Sequence, residues 1–134
     1  MNSETVMKIE KAIRNMIDAF NERDTELTLT YFYFDENFLS YGPDGSKTTS
    51  REQYRQLLEN EFNKLAAKQI EIVWSKISVY RTMATFVGEC YLRSTGLGAQ
   101  DPVPIRFTAV LREINDRWKI NQLCFSSDVL TQAA

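Results

Sequence analysis

The segment IRFTAVLREI at residues 105–114 is followed two residues later by RWKINQLCFS at residues 117–126. The two segments predict long strands, and the Asn115-Asp116 pair between them predicts the turn of an antiparallel hairpin. Asn-Asp is tolerated in such a turn, although Asn-Gly is the stronger hairpin signal. This hairpin decides the fold, because every other predicted element must be placed relative to it.

Both faces of the first strand of this hairpin carry apolar side chains. Phe107, Ala109 and Leu111 lie on one face, and Val110 and Ile114 lie on the other. A strand with one face in water alternates apolar and polar residues, so this strand is expected to be covered on both sides. We expect one cover from helices of the same chain and the other from a second copy of the chain.

Composition and charge bound the class of protein. The 134 residues predict one domain, residues 1–134, with 43% hydrophobic and 25% charged residues, as in ordinary globular proteins. A net charge of −2 without any basic run argues against nucleic-acid binding. No apolar stretch approaches the ~20 residues that span a bilayer, and no signal peptide is recognised, so we expect a cytoplasmic protein without membrane contact.

The absence of histidine excludes several kinds of site. A Ser-His-Asp or Cys-His catalytic site needs a histidine, and the commonest metal ligand is missing as well. Cys90 and Cys124 fall in predicted strands, where small buried thiols are common. No Walker loop or dinucleotide fingerprint is present. We therefore expect neither a metal nor a cofactor.

Helices are predicted upstream of the strands. Apolar residues recur at helical spacing in a first helix, Asp24 is the expected N-cap of a short second helix that ends near Phe34, and Ser50 with Gln53 forms a capping box for a third. A short strand at 37–41 is predicted between the second and third helices. Asp35 and its neighbour Glu36 are interpreted as solvated turn residues.

After the third helix the hydrophobic period changes to two. Residues 69–80 and 83–94 predict two more long antiparallel strands, so that four strands follow three helices. Helices segregated from an antiparallel sheet make an α+β domain. Because long strands twist, we expect a strongly curved, mostly antiparallel sheet packed on the three helices in the N-terminal half, forming a cone with a pocket between helices and sheet.

Four short motifs in this order carry a resemblance to a known family. They are SRE at 50–52, CYLRST at 90–95, RFT at 106–108 and WKI at 118–120. With this element order the chain resembles the nuclear transport factor 2-like superfamily, and within it the SnoaL-like and ketosteroid isomerase-like domains. The CYLRST strand is also similar to that of the calcium/calmodulin-dependent kinase II association domain. The resemblance implies a conical fold, a pocket, and a homodimer through the outer sheet face.

The resemblance does not carry over the family's catalytic groups. The position of the isomerase base falls on Tyr41, and the strand that holds a protonated aspartate in that enzyme offers Thr108 and Ala109. Where many SnoaL-like domains have a His-x-His segment, this chain has Gln122 and Cys124. The usual acid-base groups are therefore missing, while the pocket outline is retained.

Seven residues are the candidates for ligand binding. Arg93 and Arg106 fall in long strands among apolar neighbours, where they either clamp an anionic group, typically a carboxylate, or pair with Glu89 or Glu113 on the outer face. The other five either line the pocket or are structural: Tyr41, Trp74, Tyr91, Thr108 and Gln122.

Three functions stay open at this level. The leading hypothesis is a homodimeric domain of uncharacterised function that binds a small, partly apolar ligand, with a carboxylate near Arg93 or Arg106. The first alternative is an isomerase, cyclase or dehydratase that acts on a carbonyl substrate through Tyr41, Gln122 or a nearby carboxylate. The second is an oligomerisation or interaction module, which needs the outer face but no cavity. Whether the protein is an enzyme is left open.

Overall fold

A computed structural model describes residues 3–64, 67–95 and 102–127 of the chain, which form three helices and six strands. In chain order these are α1 (Ser3–Asn21), α2 (Thr25–Leu29), β1 (Leu39–Tyr41), β2 (Lys47–Thr48), α3 (Arg51–Phe62), β3 (Ala67–Tyr80), β4 (Met83–Thr95), β5 (Val103–Ile114) and β6 (Arg117–Ser127). The predicted short second helix ends at Leu29, earlier than the sequence indicated. The first strand begins at Leu39 rather than at residue 37.

The six strands form one sheet in the order β2-β1-β6-β5-β4-β3. All neighbouring pairs are antiparallel except β1 and β6, which are parallel. Three helices from the N-terminal half pack on this curved sheet, so the predicted α+β class and cone-shaped architecture are confirmed.

The predicted helix caps are present. The Asp24 carboxylate accepts a hydrogen bond of 3.0 Å from the Leu27 amide, and the Ser50 hydroxyl accepts one of 3.2 Å from the Gln53 amide. The Gln53 side chain reaches back to the amide of Thr49 at 2.8 Å, one residue before the position that a capping box uses. These bonds fix where α2 and α3 begin.

The core lies between α1 and the inner face of the sheet. Phe107, Ala109 and Leu111 of β5 are buried on that face, whereas Val110 and Ile114 on the other face are half-buried. The inner face is covered by buried residues of α1, namely Ile9, Ile13, Met16 and Ile17. One of the two expected covers of the hairpin is thus present within the chain.

Two register shifts set which side chains face the core. In β5–β6 the register skips Asn121, because Val110 pairs with Gln122 and Leu111 with Ile120. Asn121 is buried, and its amide donates to the carbonyl of Tyr33 at 3.0 Å. Bulges of this kind redirect a side chain.

The second register shift lies in β3, where the pairing with β4 skips Val73. It places Trp74 opposite Glu89, on the outer face of the sheet. Before this bulge the even-numbered residues of β3 lie on the inner face of the sheet, and after it the odd-numbered residues do.

Asp35 holds the segment before β1 against the hairpin. Its carboxylate accepts bonds from Asn121 at 2.9 Å, from Arg112 at 3.0 Å and from the Asn37 amide at 2.9 Å. Asp35 does begin a turn, because its carbonyl accepts from the Phe38 amide at 3.1 Å, but the interpretation of its side chain as solvated is wrong. The hydrogen bond from Asn121, with the amide of Asn37 and the charge of Arg112, holds the pKa of this carboxyl below its usual value although partial burial opposes the shift.

The β5–β6 turn generates the first prediction. Asn115 and Asp116 have φ of 52° and 65°, a conformation that favours glycine. Asp116→Gly is expected to raise the free energy of unfolding by about 0.5 kcal/mol, measured by urea denaturation. Thr82→Gly, in the β3–β4 turn at a residue without positive φ, is the matched control and is expected to be destabilising. Equal losses in both variants would contradict this account of the turn.

Asp35 generates the second prediction. Because its pKa is lowered in the folded state, its contribution is fully present above the unfolded pKa of about 3.9 and is lost as pH falls through the lower folded value. Asp35→Asn is therefore expected to be less stable than the wild type at pH 7, with a difference that shrinks below pH ~4. Urea denaturation from pH 7 to pH ~2.5 measures this, with the exposed Glu36→Gln as control. A difference that is independent of pH would refute the role of the charge.

Candidate functional site

A cavity of about 670 Å³ lies between the helices and the inner face of the sheet. Side chains of α1 and α3, the β1–β2 hairpin and the inner face of β3–β6 line it. The apolar part of the lining includes Met16, Phe20, Leu57, Leu58, Ile70, Leu92, Ile105, Leu123 and Phe125. The pocket between helices and sheet that the sequence predicted is therefore present, and its volume lies in the ~300–1,000 Å³ range of small-molecule sites.

The cavity occupies one end of the sheet. At the other end, Ala84, Phe86 and Leu111 are almost completely buried, so the helices leave no space there. Leu92, near the end of β4, is half-buried and lines the cavity. The inner face is thus filled near the β3–β4 turn, where β4 begins, and is open where β4 ends.

Two contacts fix the helical wall of the cavity. The side chain of Asn21, the last residue of α1, donates to the carbonyl of Ile70 at 3.1 Å and accepts from its amide at 2.8 Å. Phe20 meets Phe62 of α3 edge to face, with ring centroids 5.2 Å apart. α1 is therefore held to both β3 and α3 beside the cavity.

Three buried side chains with hydroxyl groups line the cavity near the β1–β2 hairpin. The hydroxyls of Ser40 and Thr48 are 2.7 Å apart and share one hydrogen bond, in which one donates and the other accepts. Tyr54 is buried, with its ring centroid 4.7 Å from that of Phe32 and 5.8 Å from that of Phe38. Burial raises the pKa of Tyr54 well above its usual value, so its phenol stays neutral at physiological pH.

Glu61, in the last turn of α3, is a carboxylate in the cavity lining. Its Oε1 lies 3.5 Å from Nζ of Lys64 and 4.0 Å from Nζ of Lys68. Its Oε2 is buried and has no hydrogen-bond partner among the described residues. Sequence reasoning missed Glu61, although its spacing of three and seven residues from Leu58 and Tyr54 places it on the apolar side of α3.

The remaining polar lining includes exposed residues. Among them are Asp44, Lys47, Gln53, Gln56, Asn60 and Lys64. These belong to the β1–β2 hairpin, to α3 and to the residues just after it. Two hydrogen bonds from Ser46 hold the pKa of Asp44 below its usual value, so this carboxylate is ionised and engaged within its turn. The cavity therefore has an apolar interior and a polar, solvent-accessible margin.

Of the seven predicted ligand-binding residues, Tyr41 lines this cavity. The other six lie on the outer face, in the same rows as Val87, as the strand register shows: Trp74, Tyr91, Arg93, Arg106, Thr108 and Gln122. The expectation that they reach into the cone is corrected by this placement. Phe107 and its alternate neighbours occupy the inner row, so the residues between them must point outward.

The outer face does bring some of these residues together. Tyr91 and Arg106 meet in a shallow pocket of about 240 Å³. Arg93 pairs with Glu71 at 2.8 Å, rather than with Glu89 or Glu113, and its guanidinium lies 5.6 Å from the ring centre of Tyr91. These contacts hold Arg93 on the outer face.

The remaining three candidates have separate surroundings. The Gln122 amide donates to the carbonyl of Asn37 at 3.2 Å, so its predicted hydrogen-bond partner exists and belongs to the chain. Thr108 lies opposite Cys124 in the β5–β6 register. Trp74 is 50% exposed. Binding of a ligand by any of the seven residues stays a prediction.

The burial and grouping of the cysteines and acids bear on metal binding and thiol chemistry. Within the described ranges, no three His, Cys, Asp or Glu side chains form a group that could hold a metal ion. Both cysteines are free. Burial raises the pKa of Cys90 to about 11, so its thiol is protonated at neutral pH, while Cys124 is exposed. No helix in the described part of the chain is long and apolar enough to cross a membrane.

The family of the chain follows from its match to a SnoaL-like domain model over residues 9–130. The chain belongs to the SnoaL-like family. This membership confirms the resemblance to the nuclear transport factor 2-like superfamily. No match was found among curated proteins.

Solved structures share the fold of this SnoaL-like domain. A proposed dehydratase of the NTF2-like family from Streptomyces avermitilis has a TM-score of 0.84 and 15% identity, over 93% of this chain and 96% of that chain. A proposed scytalone dehydratase from Novosphingobium aromaticivorans has a TM-score of 0.81 and 13% identity, over 94% and 85%. A ketosteroid isomerase-like protein from Erwinia carotovora atroseptica has a TM-score of 0.76 and 17% identity, over 94% and 98%. At these identities the likeness concerns the fold.

Proposed function

We propose that this SnoaL-like domain binds a small, largely apolar molecule in the cavity between its helices and sheet. The observation that carries the proposal is the cavity itself, with about 670 Å³ of space and a mostly apolar interior. Binding of an apolar ligand that displaces water from a cavity of this size is favourable, because burial of apolar surface contributes about 25 cal/mol per Å². The fold neighbours described as dehydratases and an isomerase-like protein support a small-molecule ligand.

The location of the site differs from the one expected from the sequence. A carboxylate clamp by Arg93 or Arg106 is no longer part of the proposal, because both residues lie on the outer face. The polar groups available to a cavity ligand instead include Tyr41, the acidic side chain of Glu61 and the ammonium groups of Lys64 and Lys68.

The polar groups of the cavity favour ligand binding over catalytic turnover. Gln122, one of the groups suggested for polarising a carbonyl, lies outside the cavity and bonds to Asn37. The phenol of Tyr54 stays neutral, and the Asp44 carboxylate is engaged by Ser46. Among the described lining residues this leaves Glu61 as the carboxylate that is not engaged within a turn, and a single acidic group provides an anchor more readily than an acid-base pair.

A cavity-filling substitution tests the proposal. The fluorescent probe N-phenyl-1-naphthylamine is expected to bind the wild type with a Kd on the order of 10–100 μM. Leu92→Trp, which places a larger side chain in the cavity, is expected to weaken binding at least ~10-fold by loss of space. Met7→Trp, on the exposed side of α1, is the control and should bind as the wild type does.

Binding is measured by fluorescence titration, and circular dichroism checks that each variant folds. A wild type that does not bind the probe would overturn the proposal. Equal affinity in the wild type and both variants would also overturn it, because the probe would then occupy another surface.

We also propose that the domain forms a homodimer through the outer face of the sheet. Among the described residues, eight large apolar side chains are exposed, and six belong to the outer face of β3 and β4: Val73, Trp74, Tyr80, Met83, Val87 and Tyr91. Several exposed apolar side chains on one face of a sheet are typical of protein interfaces. A second copy matches the patch, because a twofold axis pairs the same surface with itself.

Light scattering coupled to size exclusion tests the dimer. The wild type is expected to elute with twice the chain mass at micromolar concentration. Trp74→Glu introduces a charge into the centre of the patch and is expected to give a monomer, because an unpaired buried charge is costly. Met7→Glu on α1 is the control and should remain dimeric. A monomeric wild type would remove both this proposal and the second expected cover of the hairpin.

A further inference from the structure

The carboxylate of Glu61 is an incompletely paired acceptor in the cavity lining. Its Oε1 faces the ammonium groups of Lys64 and Lys68, whereas its Oε2 is buried without a hydrogen bond from any described residue. A buried carboxylate oxygen without a donor is costly, and native proteins pair nearly all such atoms.

The position of Glu61 is unfavourable in a second way. It lies in the last turn of α3, where the exposed backbone carbonyls carry partial negative charge and where cationic side chains are stabilising. The same turn contains Phe62, which packs against Phe20 and accounts for the contact between helices. The helix contact therefore does not require an acid at position 61, and a residue that opposes stability in two ways is a candidate for binding a ligand.

We infer that Glu61 is the hydrogen-bond acceptor that anchors the ligand, and that the ligand class is an apolar ring or chain with a hydroxyl or N–H donor. This inference rests on the proposed function of the cavity. The side chain keeps 23% of its surface exposed, and the terminal torsion of glutamate is soft, so the carboxylate turns toward a donor at little cost. A donor from the ligand then satisfies the oxygen for which the described residues provide no donor.

The surroundings of Glu61 also determine which polar group the ligand presents. Lys64 and Lys68 approach Oε1, so the charge of the carboxylate is partly compensated on that side while the other oxygen remains available. A ligand carboxylate or ether would place one acceptor against another and would gain nothing from Oε2. An alcohol, phenol or amine donates, and hydrogen bonds to a charged acceptor are stronger than neutral ones.

A pair of isosteric probes separates the anchor from the cavity. 2-Naphthol and 2-methylnaphthalene have nearly the same shape, but 2-naphthol carries a donor where the other carries a methyl group. Their affinities are measured by displacement of N-phenyl-1-naphthylamine. In the wild type, 2-naphthol is expected to bind about 10-fold more tightly than 2-methylnaphthalene, because its hydroxyl makes a charge-assisted hydrogen bond to Glu61.

Glu61→Leu removes the acceptor and is expected to abolish this preference, with 2-methylnaphthalene binding at least as tightly as 2-naphthol. Glu59→Leu removes an exposed acid from the same helix and is the matched control, with the preference intact. Glu61→Gln keeps an uncharged acceptor and is expected to retain a smaller preference, which provides a second variant if Glu61→Leu does not fold.

Stability provides an independent readout. Removal of an incompletely paired acid from the last turn of α3 is expected to raise the Tm of Glu61→Leu by about 2–4 °C, whereas a structural role of Glu61 would lower it. Equal affinity of the two probes in the wild type, or an unchanged preference in Glu61→Leu, would overturn this inference while the cavity still binds the reporter. Absence of reporter binding to the wild type would instead overturn the proposed function.

Discussion

The burial of one face of β5 beneath α1 is the constraint on which the rest of the structure depends. Phe107, Ala109 and Leu111 are each at most 2% exposed, and Ile9 and Ile13 of α1 are completely buried in the same cluster. Because side chains alternate across a strand, this burial fixes the inner and outer rows of every strand paired to β5. The helices fill the inner face at one end of the sheet and leave a cavity at the other.

The two faces of the sheet thereby have different surroundings. The inner face supplies the apolar wall of the cavity, and the outer face carries exposed aromatic and aliphatic residues beside ion pairs such as Arg93 with Glu71. The Asp35 cluster joins both strands of the hairpin. Arg112 reaches Asp35 from the outer row of β5, and Asn121 reaches it from the bulge in β6. The proposed ligand binding and the proposed self-association would therefore use opposite faces of the same sheet.

The elements of this fold were predictable because hydrophobic period reports secondary structure directly. The turn at Asn115 and Asp116 and the caps at Asp24 and Ser50 are local signals, and each is present. The site was less predictable. Whether a strand residue faces the cavity depends on the pairing register of the strand, and bulges that no local sequence signal marks shift that register. Tyr41 was found through the family resemblance, whereas Glu61 was missed because an acid between apolar helix positions looks like a solvated residue until the cavity beside it is known.

A crystal structure of the protein with N-phenyl-1-naphthylamine tests the central claim most directly, because it locates the occupied surface and the polar contact at once. The account predicts that the rings lie between Leu57, Ile105 and Phe125, with the amine within about 3.2 Å of a carboxylate oxygen of Glu61. A probe seated on the outer face beside Trp74 or Tyr91, with an empty or closed cavity, would contradict it.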